Sequence, residues 1–264
     1  MSPRNATTTS RGRVYTWQGS NFWSVTTVIG NGLPKPALVP WGMREVAKAA
    51  VEQYERVFAM TRAAGDDPDA RQAVVDWLKG EPYRQRDRAA DLGSLVHARI
   101  ESLILGQPEP PAPPVARGYL DAFDLFVTEW EPEFLASEMT VYNRTAQYAG
   151  TLDWIARIDG VTVLGDQKTS AKGIFPDVAQ QLVAYRRAEF VGLPDGSEVP
   201  MPETDEARAL HLRADGTYDL IPVRTDEEVW QAFLYTARQF AWIEDISKRV
   251  LGEPMTRPAR EAVA

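Results

Sequence analysis

The sequence contains no cysteine, which excludes disulfides, zinc–thiolate sites and iron–sulfur clusters built on this chain. The polar N-terminus lacks the apolar segment of a signal peptide, and no apolar run is long enough to span a bilayer. The phosphate-binding pattern GxxxxGK(S/T) is also absent, so the chain carries no P-loop ATPase motor of its own. We therefore expect a cytoplasmic protein without membrane segments.

Histidine and positive charge are scarce as well. The chain has two histidines and a formal net charge of −8, whereas nucleic-acid-binding proteins usually present a basic surface. The charge is uneven, because residues 1–48 hold six Lys or Arg and residues 193–206 hold five acids without a base. Some of the acids could belong to a metal site, where cations offset them. The balance weakens a nucleic-acid hypothesis without excluding it.

The length of 264 residues allows one large domain or two small ones. We predict a disordered arm over residues 1–12, which are rich in Ser, Thr and Asn, and a single α/β domain over 13–250. Within that domain, residues 13–134 are expected to be mainly helical. Residues 135–250 are expected to form a β-β-β-α-β-β core with a final helix, and residues 251–264 a flexible tail.

Hydrophobic periodicity supports this organisation. Apolar residues recur at helical spacing over 41–64, 87–105, 115–131, 175–190 and 226–250. Alternation with a period of two predicts three consecutive strands over 138–144, 149–158 and 161–169. Asp159 and Gly160 lie between the last two strands and indicate a tight hairpin. The pattern predicts a central sheet flanked by helices.

Opposite charges lie at the end of the third predicted strand. Asp166 and Lys168 are two residues apart, so both side chains lie on one face of the sheet. The hairpin would bring Asp153 of the preceding strand beside Asp166. Two adjacent carboxylates repel each other unless a cation lies between them, and carboxylate oxygens suit Mg²⁺ or Mn²⁺. A solvated surface ion pair is the competing interpretation of each short motif alone.

Two predicted helices carry polar pairs four residues apart, so that each pair shares a helix face. Gln181 and Tyr185 follow the third strand, and His97 and Glu101 lie on an earlier helix. Each pair alone is also typical of an ordinary amphipathic or surface helix. A neutral imidazole such as that of His97 is nevertheless a good ligand for Mn²⁺.

The motifs are more specific in combination. In chain order they form G-S-x-x-H-x-x-x-E, then G-x-x-D, then D-x-K-T, then Q-x-x-x-Y. This set resembles the RecB-like nucleases of the PD-(D/E)XK superfamily, including phage lambda-type and CRISPR-associated exonucleases. The likeness covers about residues 90–190, with a softer one to phage-encoded members at Ser24–Ile29, Pro34–Pro36 and Trp41. It implies a restriction-endonuclease-like core, with a central mixed sheet flanked by helices and a helical N-terminal region.

The resemblance implies a role for each matching residue. His97, Asp153, Asp166 and the backbone carbonyl of Gln167 would bind one or two Mg²⁺ or Mn²⁺ ions. Asp153 and Asp166 would also be catalytic, together with Lys168. The four cysteines that hold an iron–sulfur cluster in several relatives are missing, so the cluster-free phage exonucleases are the nearer comparison.

The remaining candidates would border the site. Gln181 and Tyr185 would help to place the DNA strand, and Glu101 would be a ligand or a neighbour of the ligands. Glu138, at the start of the first predicted strand, is a weaker candidate. The arginines Arg84, Arg86 and Arg88 precede the predicted His97 helix. They could contact DNA phosphates, or equally form a solvated helix start.

The expected function is therefore metal-dependent hydrolysis of DNA phosphodiester bonds by a phage-type recombination or processing exonuclease in the bacterial cytoplasm. Two alternatives stay open: an endonuclease or nickase on the same fold, and a catalytically silent module that binds DNA or protein. A recombinase or helicase partner is compatible with the first hypothesis. The sequence leaves cleavage polarity, strand preference and oligomeric state open.

Overall fold

Two β-sheets organise the chain, and both are mixed in strand direction. The computed structural model describes residues 5–255. The strands are β1 (Ala6–Thr9), β2 (Gly12–Trp17), β3 (Ser20–Ser24), β4 (Glu133–Ser137), β5 (Thr140–Asn143), β6 (Tyr148–Thr151), β7 (Trp154–Ile158), β8 (Val161–Lys168), β9 (Phe190–Gly192), β10 (Glu198–Pro200), β11 (Glu206–Leu212) and β12 (Tyr218–Val223). Their order is β1-β2-β3-β6-β5-β9-β10 in one sheet and β12-β11-β8-β7-β4 in the other.

Two long segments bend and pass from one sheet to the other. The first bend separates β4 from β5 at Glu138 and Met139, and the second separates β6 from β7 at Leu152 and Asp153. The single strand expected over 149–158 is therefore wrong: it is two strands in different sheets, with Asp153 in the bend between them. Backbone hydrogen bonds join the bends, from Glu138 N to Asp153 O (3.0 Å) and from Leu152 N to Met139 O (3.0 Å). Glu138 has a left-handed φ of 51°, which breaks the regular pleat. Glu138 and Asp153 therefore lie opposite each other where the two sheets meet.

The expected hairpin is confirmed between β7 and β8. Asp159 and Gly160 both have positive φ, 51° and 81°, as a two-residue turn between twisted strands requires. The register pairs Ile158 with Val161 and Trp154 with Gly165. Continued by one step, that register places Asp153 next to Asp166. On its other side β8 pairs with β11 in parallel.

Helices precede, separate and follow the strands. They are α1 (Val25–Gly32), α2 (Leu38–Glu52), α3 (Tyr54–Ala64), α4 (Pro68–Lys79), α5 (Glu81–Ile104), α6 (Arg117–Trp130), α7 (Asp177–Arg186) and α8 (Glu227–Glu244). The single helix expected over 41–64 is two helices, because Gln53 leaves the helical region (φ −112°, ψ 32°). Helix α5 begins six residues before the expected 87, with Pro82 in its first turn, where proline is tolerated.

Helices cover both faces of the sheet that contains β8. On one face α1, α7 and α8 form a core with Ile155 and Leu164, both almost fully buried. On the other face α5 and α6 pack through Ile100 and Phe126 against Trp154. A smaller aromatic cluster around Tyr142 lies in the N-terminal sheet. The result is an α/β architecture of packed layers.

The ends of the chain depart from expectation. The disordered arm expected over 1–12 is wrong for residues 6–9, because β-branched threonines form β1 and pair with β2. Segment 13–134 also contains β2, β3 and the start of β4, besides its helices. Residues 251–255 of the expected tail form neither helix nor strand, and residues 1–4 and 256–264 lie outside the described residues.

The expected acidic loop over 193–206 contains the short strand β10, which pairs with β9. The final helix, expected to reach about 250, ends at Glu244 and is followed by a 3₁₀ turn over Ile246–Arg249. Among the described residues, no helix is long and apolar enough to cross a membrane.

Candidate functional site

Strand β8 presents Asp166 and Lys168 on the face that α7 covers. Asp166 is 1% exposed, and its Oδ2 lies 2.5 Å from Lys168 Nζ. Gln181 of α7 contacts both groups: its Nε2 donates to Asp166 Oδ1 (2.7 Å) and its Oε1 accepts from Lys168 Nζ (3.3 Å). A buried charge is costly unless it is paired and hydrogen-bonded, and here both charges are. The pair is therefore fixed in position next to the sheet junction.

Tyr185 lies one turn after Gln181 and completes this wall. Its hydroxyl accepts a hydrogen bond from Gln181 Nε2 (3.3 Å), and its ring packs on Gly150. A Cβ at Gly150 would lie 2.4 Å from the ring. Similarly, a Cβ at Gly165 would lie 2.0 Å from the ring of Trp154. Gly150 of the G-x-x-D motif and Gly165, which precedes Asp166, thus each allow an aromatic ring to pack against the strand.

The sheet junction gathers a second group of polar side chains. Asp153 Oδ2 accepts from the backbone N–H of Gln167 (2.7 Å), and its Oδ1 lies 3.4 Å from Nδ1 of His97 on α5. His97, Asp153 and Glu138 each offer one potential ligand atom, and these atoms lie within 4.8 Å of one another. Three segments distant in sequence therefore meet at one point.

Glu138 lies closer to the centre of the site than its standing as a weaker candidate predicted. The sequence showed only an acid at the start of a strand, whereas the structure places it at the bend opposite Asp153. Its inward placement follows from the left-handed backbone at that position. No local sequence signal marks such a conformation in a glutamate, because most residues with positive φ are Gly, Asn or Asp.

Burial makes two of the acids reluctant to ionise. It raises the pKa of Glu138 to about 7, and the charges of Asp153 and Glu101 add to the effect. Burial also raises the pKa of Asp166 to about 6. The charge of Lys168 lowers this pKa in part, and repulsion by Asp153 raises it further. A cation bound between neighbouring carboxylates would lower such raised pKa values, because it favours the ionised form.

Neighbouring charges outweigh burial at three other groups. Burial alone would lower the pKa of His97, but the Asp153 carboxylate outweighs it and the pKa is raised. Burial opposes the ionisation of Asp153 in turn, yet His97 and Lys168 hold its pKa below the ordinary value. For Lys168, burial is again outweighed, here by Asp166 and Asp153, so that its pKa is raised. Asp153 thus favours the charged forms of His97 and Lys168, and they favour its own.

The donor set fits a divalent cation. Asp153, Glu138 and His97 offer two carboxylates and an imidazole, which together can hold such an ion. Asp166 is adjacent, but its oxygens are engaged by Lys168 and Gln181. The expected set therefore gains Glu138. Direct ligation by Asp166 and by the carbonyl of Gln167, whose N–H is bound to Asp153, stays a prediction.

The remaining expected residues lie on α5. Glu101 is one turn after His97 and close enough to influence the pKa of Glu138. Arg84 and Arg88 lie about 20 Å and 14 Å along the helix axis from His97, at 1.5 Å per residue. Arg84 is held by Glu81 Oε2 (2.7 Å) and by the carbonyl of Trp77 (2.7 Å). The structure thus gives Arg84 a role in helix packing, whereas Arg88 is exposed and a contact with DNA stays a prediction.

The second histidine, His211, contacts the loop that follows β8. His211 is 6% exposed and lies on β11, opposite Lys168 in the register. Its Nε2 is 2.8 Å from the carbonyl oxygen of Ser170, in the loop that follows β8. Sequence analysis did not single it out, because the pairing of β8 with β11 is not visible in either strand alone.

Comparison with protein-family models and with curated proteins finds no match for this chain. Functional inference therefore depends on the geometry of the site.

Proposed function

We propose that this chain is a metal-dependent deoxyribonuclease, an exonuclease of the RecB-like branch of the PD-(D/E)XK superfamily that acts in phage-type recombination or DNA processing. One observation carries the proposal. The polar residues of four separate motifs, on α5, at the second bend, on β8 and on α7, converge at the sheet junction. Within the mixed five-stranded sheet, β4, β7 and β8 precede α7 in the chain and β11 and β12 follow it, an order that supports the same core.

Metal binding would involve His97, Asp153 and Glu138, with Asp166 adjacent. A divalent cation there lowers the pKa of a bound water and polarises a phosphate oxygen. The carboxylates would contribute their negative charge, and the N–H of Gln167 holds Asp153 in position. Such preorganisation of ligands is what a hydrolytic metal site requires.

Lys168 would contribute a fixed positive charge. Its ammonium group lies between Asp166 and Gln181, and its raised pKa keeps it protonated at neutral pH. A positioned cation stabilises the negative charge that develops on a phosphate during hydrolysis. Gln181 holds Lys168 and Asp166 at once, and Tyr185 in turn accepts from Gln181. These residues would act by orientation rather than by covalent chemistry.

Digestion of end-labelled linear DNA and closed circular DNA tests the proposal, with Mg²⁺, with Mn²⁺ and with EDTA. We expect metal-dependent loss of the linear DNA alone. Lys168→Met should reduce the rate about 100- to 1,000-fold, which is the usual effect of removing one group that stabilises transition-state charge. Lys79→Met is the matched control, because Lys79 is exposed on α4 and paired only with Asp76. It should keep the rate of the unsubstituted protein.

The other outcomes separate the alternatives. Cutting of the circular DNA as well would indicate an endonuclease or nickase on the same fold. Absence of cleavage by the folded protein under every condition would contradict a nuclease and favour a silent binding module. Full activity of Lys168→Met would contradict the assigned site even if the protein cleaves DNA.

A further inference from the structure

A cavity of about 220 Å³ opens beside Lys168 and Gln181, between α1, the loop over 169–176 and the start of α7. Its walls are largely apolar, with Ile29, Ile174 and Val178 facing it. Phe175 also lines it and is 55% exposed, so its ring is accessible from solvent. Neither the metal triad nor the proposed hydrolysis uses this space.

Two lysines and one aspartate are the charged groups that line the cavity. Lys168 lies at the side shared with the catalytic site, where it is paired with Asp166, and Lys35 lies on the opposite chain segment. Lys35 Nζ is 3.2 Å from Asp177 Oδ2, an ion pair that is partly exposed to solvent. Each ammonium group has three N–H donors, so both lysines can donate to an anionic group at the edge of the cavity while they keep these pairs. The apolar walls favour a ring inside it.

We propose that this cavity holds an unpaired nucleobase of a single-stranded DNA end, next to a phosphate bound near Lys168. The volume is smaller than the roughly 300–1,000 Å³ of pockets for drug-sized ligands, so it suits one planar ring system. Phe175 supplies a stacking surface, and a base offers a flat face together with polar edges for Asp177 and Thr26. The substrate class, though not the cavity, rests on the proposed nuclease function.

A preference for single strands follows from the location. A base in a duplex is stacked and paired, and extruding it costs a few kcal/mol, whereas an unpaired end has already lost that stabilisation. The cavity adjoins the catalytic lysine, so that base and scissile phosphate would belong to neighbouring nucleotides. The enzyme would therefore degrade single-stranded or frayed ends faster than blunt duplex ends.

Position 30 offers a direct way to fill the cavity. Gly30 lines it from α1, and a Cβ built there meets no atom within 4 Å. Gly30→Phe would place a ring in this open space, and Gly30→Ala is the matched control that adds only a methyl group. Phe175→Ala removes the stacking surface at an exposed position without touching the metal ligands.

The experiment compares hydrolysis of single-stranded DNA that ends in a normal nucleotide with DNA that ends in an abasic one. Stacking of one base changes affinity by about five- to 100-fold. We expect the unsubstituted protein and Gly30→Ala to have a KM at least about fivefold lower for the normal end. Gly30→Phe and Phe175→Ala should lose that discrimination and keep their activity on the abasic end.

The outcomes distinguish failure of the cavity proposal from failure of the nuclease proposal. Equal KM values for the normal and the abasic end in the unsubstituted protein would overturn the cavity proposal, and so would full discrimination in Gly30→Phe. Neither result would contradict the nuclease proposal. If the protein cleaves nothing, binding of an oligodeoxynucleotide with a fluorescent terminal purine analogue in EDTA decides instead. Quenching that Gly30→Phe and Phe175→Ala abolish would support the cavity, and absence of quenching in the unsubstituted protein would overturn it.

Discussion

Two regions of the molecule differ in how deeply they bury apolar side chains. One is the sheet junction, around the bends at 138–139 and 152–153, and the other is the helical arm, defined as α2 to α4 (residues 38–79). At the junction, Leu152, Ile155 and Leu164 are at most 1% exposed. Buried residues of the arm are small or few: Ala49, Ala64 and Val74. The arm leaves larger apolar side chains at least half exposed, namely Leu38, Val39, Met43, Val51, Tyr54 and Phe58.

This difference in burial indicates which of the two regions is more rigid. The ring of Trp77 in the arm makes cation–π contacts with Arg56 (4.7 Å) and Arg84 (5.0 Å). Such contacts contribute about 0.5–1 kcal/mol at exposed sites, less than a buried aliphatic side chain contributes. All residues of the candidate site lie at the junction or on elements packed against it. Chemistry that needs fixed distances is therefore built on the well-packed region.

The largest expected contrast comes from the same substitution in both regions. Gly165→Ala would place a Cβ 2.0 Å from the Trp154 ring, so the sheet must distort, and we expect a loss of about 3 kcal/mol or more. Gly42→Ala lies within α2, where the nearest atom would be 3.9 Å away. It should gain about 0.5–1 kcal/mol, because alanine favours a helix. Urea denaturation of both variants measures the two effects, and equal signs would contradict the contrast.

The sequence predicts the junction better than the arm, for a physical reason. Alternation with a period of two and the Asp159-Gly160 turn determine the register of β7 and β8, which brings Asp153 beside Asp166. Helical spacing likewise places Gln181 on the face towards Asp166. These features depend on local patterns with one clear period. The arm shows helical spacing too, but no Gly or Pro near Gln53 marks the break there.

Tertiary features of the site could not be derived in this way. The ligand position of Glu138 depends on a left-handed backbone at the bend, and the support by His211 depends on a parallel pairing between distant strands. The early start of α5 moved Arg84 into a helix, where Glu81 and Trp77 bind it. Hydrophobic periodicity is insensitive to all three features, namely a positive φ, a pairing between distant strands and the contacts at a helix end.

Hydrogen exchange would measure how easily helices of the arm and of the junction open locally. Local opening requires least free energy where few apolar contacts are broken. We expect backbone amides of α2 and α3 to exchange at least about tenfold faster than those of α7, which corresponds to about 1.4 kcal/mol in opening free energy. Both regions are helical, so intrinsic hydrogen bonding is matched. Equal protection of the arm and α7 would show that the exposed apolar side chains of the arm are not a sign of weak packing.

An effect of similar size concerns a single charge, studied in metal-free protein. The folded pKa of Glu138 is raised to about 7 from an ordinary 4.5, so its contribution to stability is lost as pH rises through 7. Glu138→Gln should be nearly neutral at pH 5 and more stable than the unsubstituted protein by about 1–2 kcal/mol at pH 8, less than full linkage because Glu138 is partly exposed. Glu52→Gln is the matched control, because it removes a carboxylate of the arm that is 63% exposed.

Metal should reverse this order, which makes the same variant a test of the cation site. A ligand that binds only the folded state stabilises it, and the unsubstituted protein keeps all three donors. At pH 8 with Mn²⁺ in excess, the unsubstituted protein should therefore become more stable than Glu138→Gln. The folded pKa values of Asp166 and His97 are raised too, but both groups are present in both proteins, so the difference isolates Glu138. A pH-independent difference, or stabilisation by Mn²⁺ that Glu138→Gln does not reduce, would remove Glu138 from the ligand set.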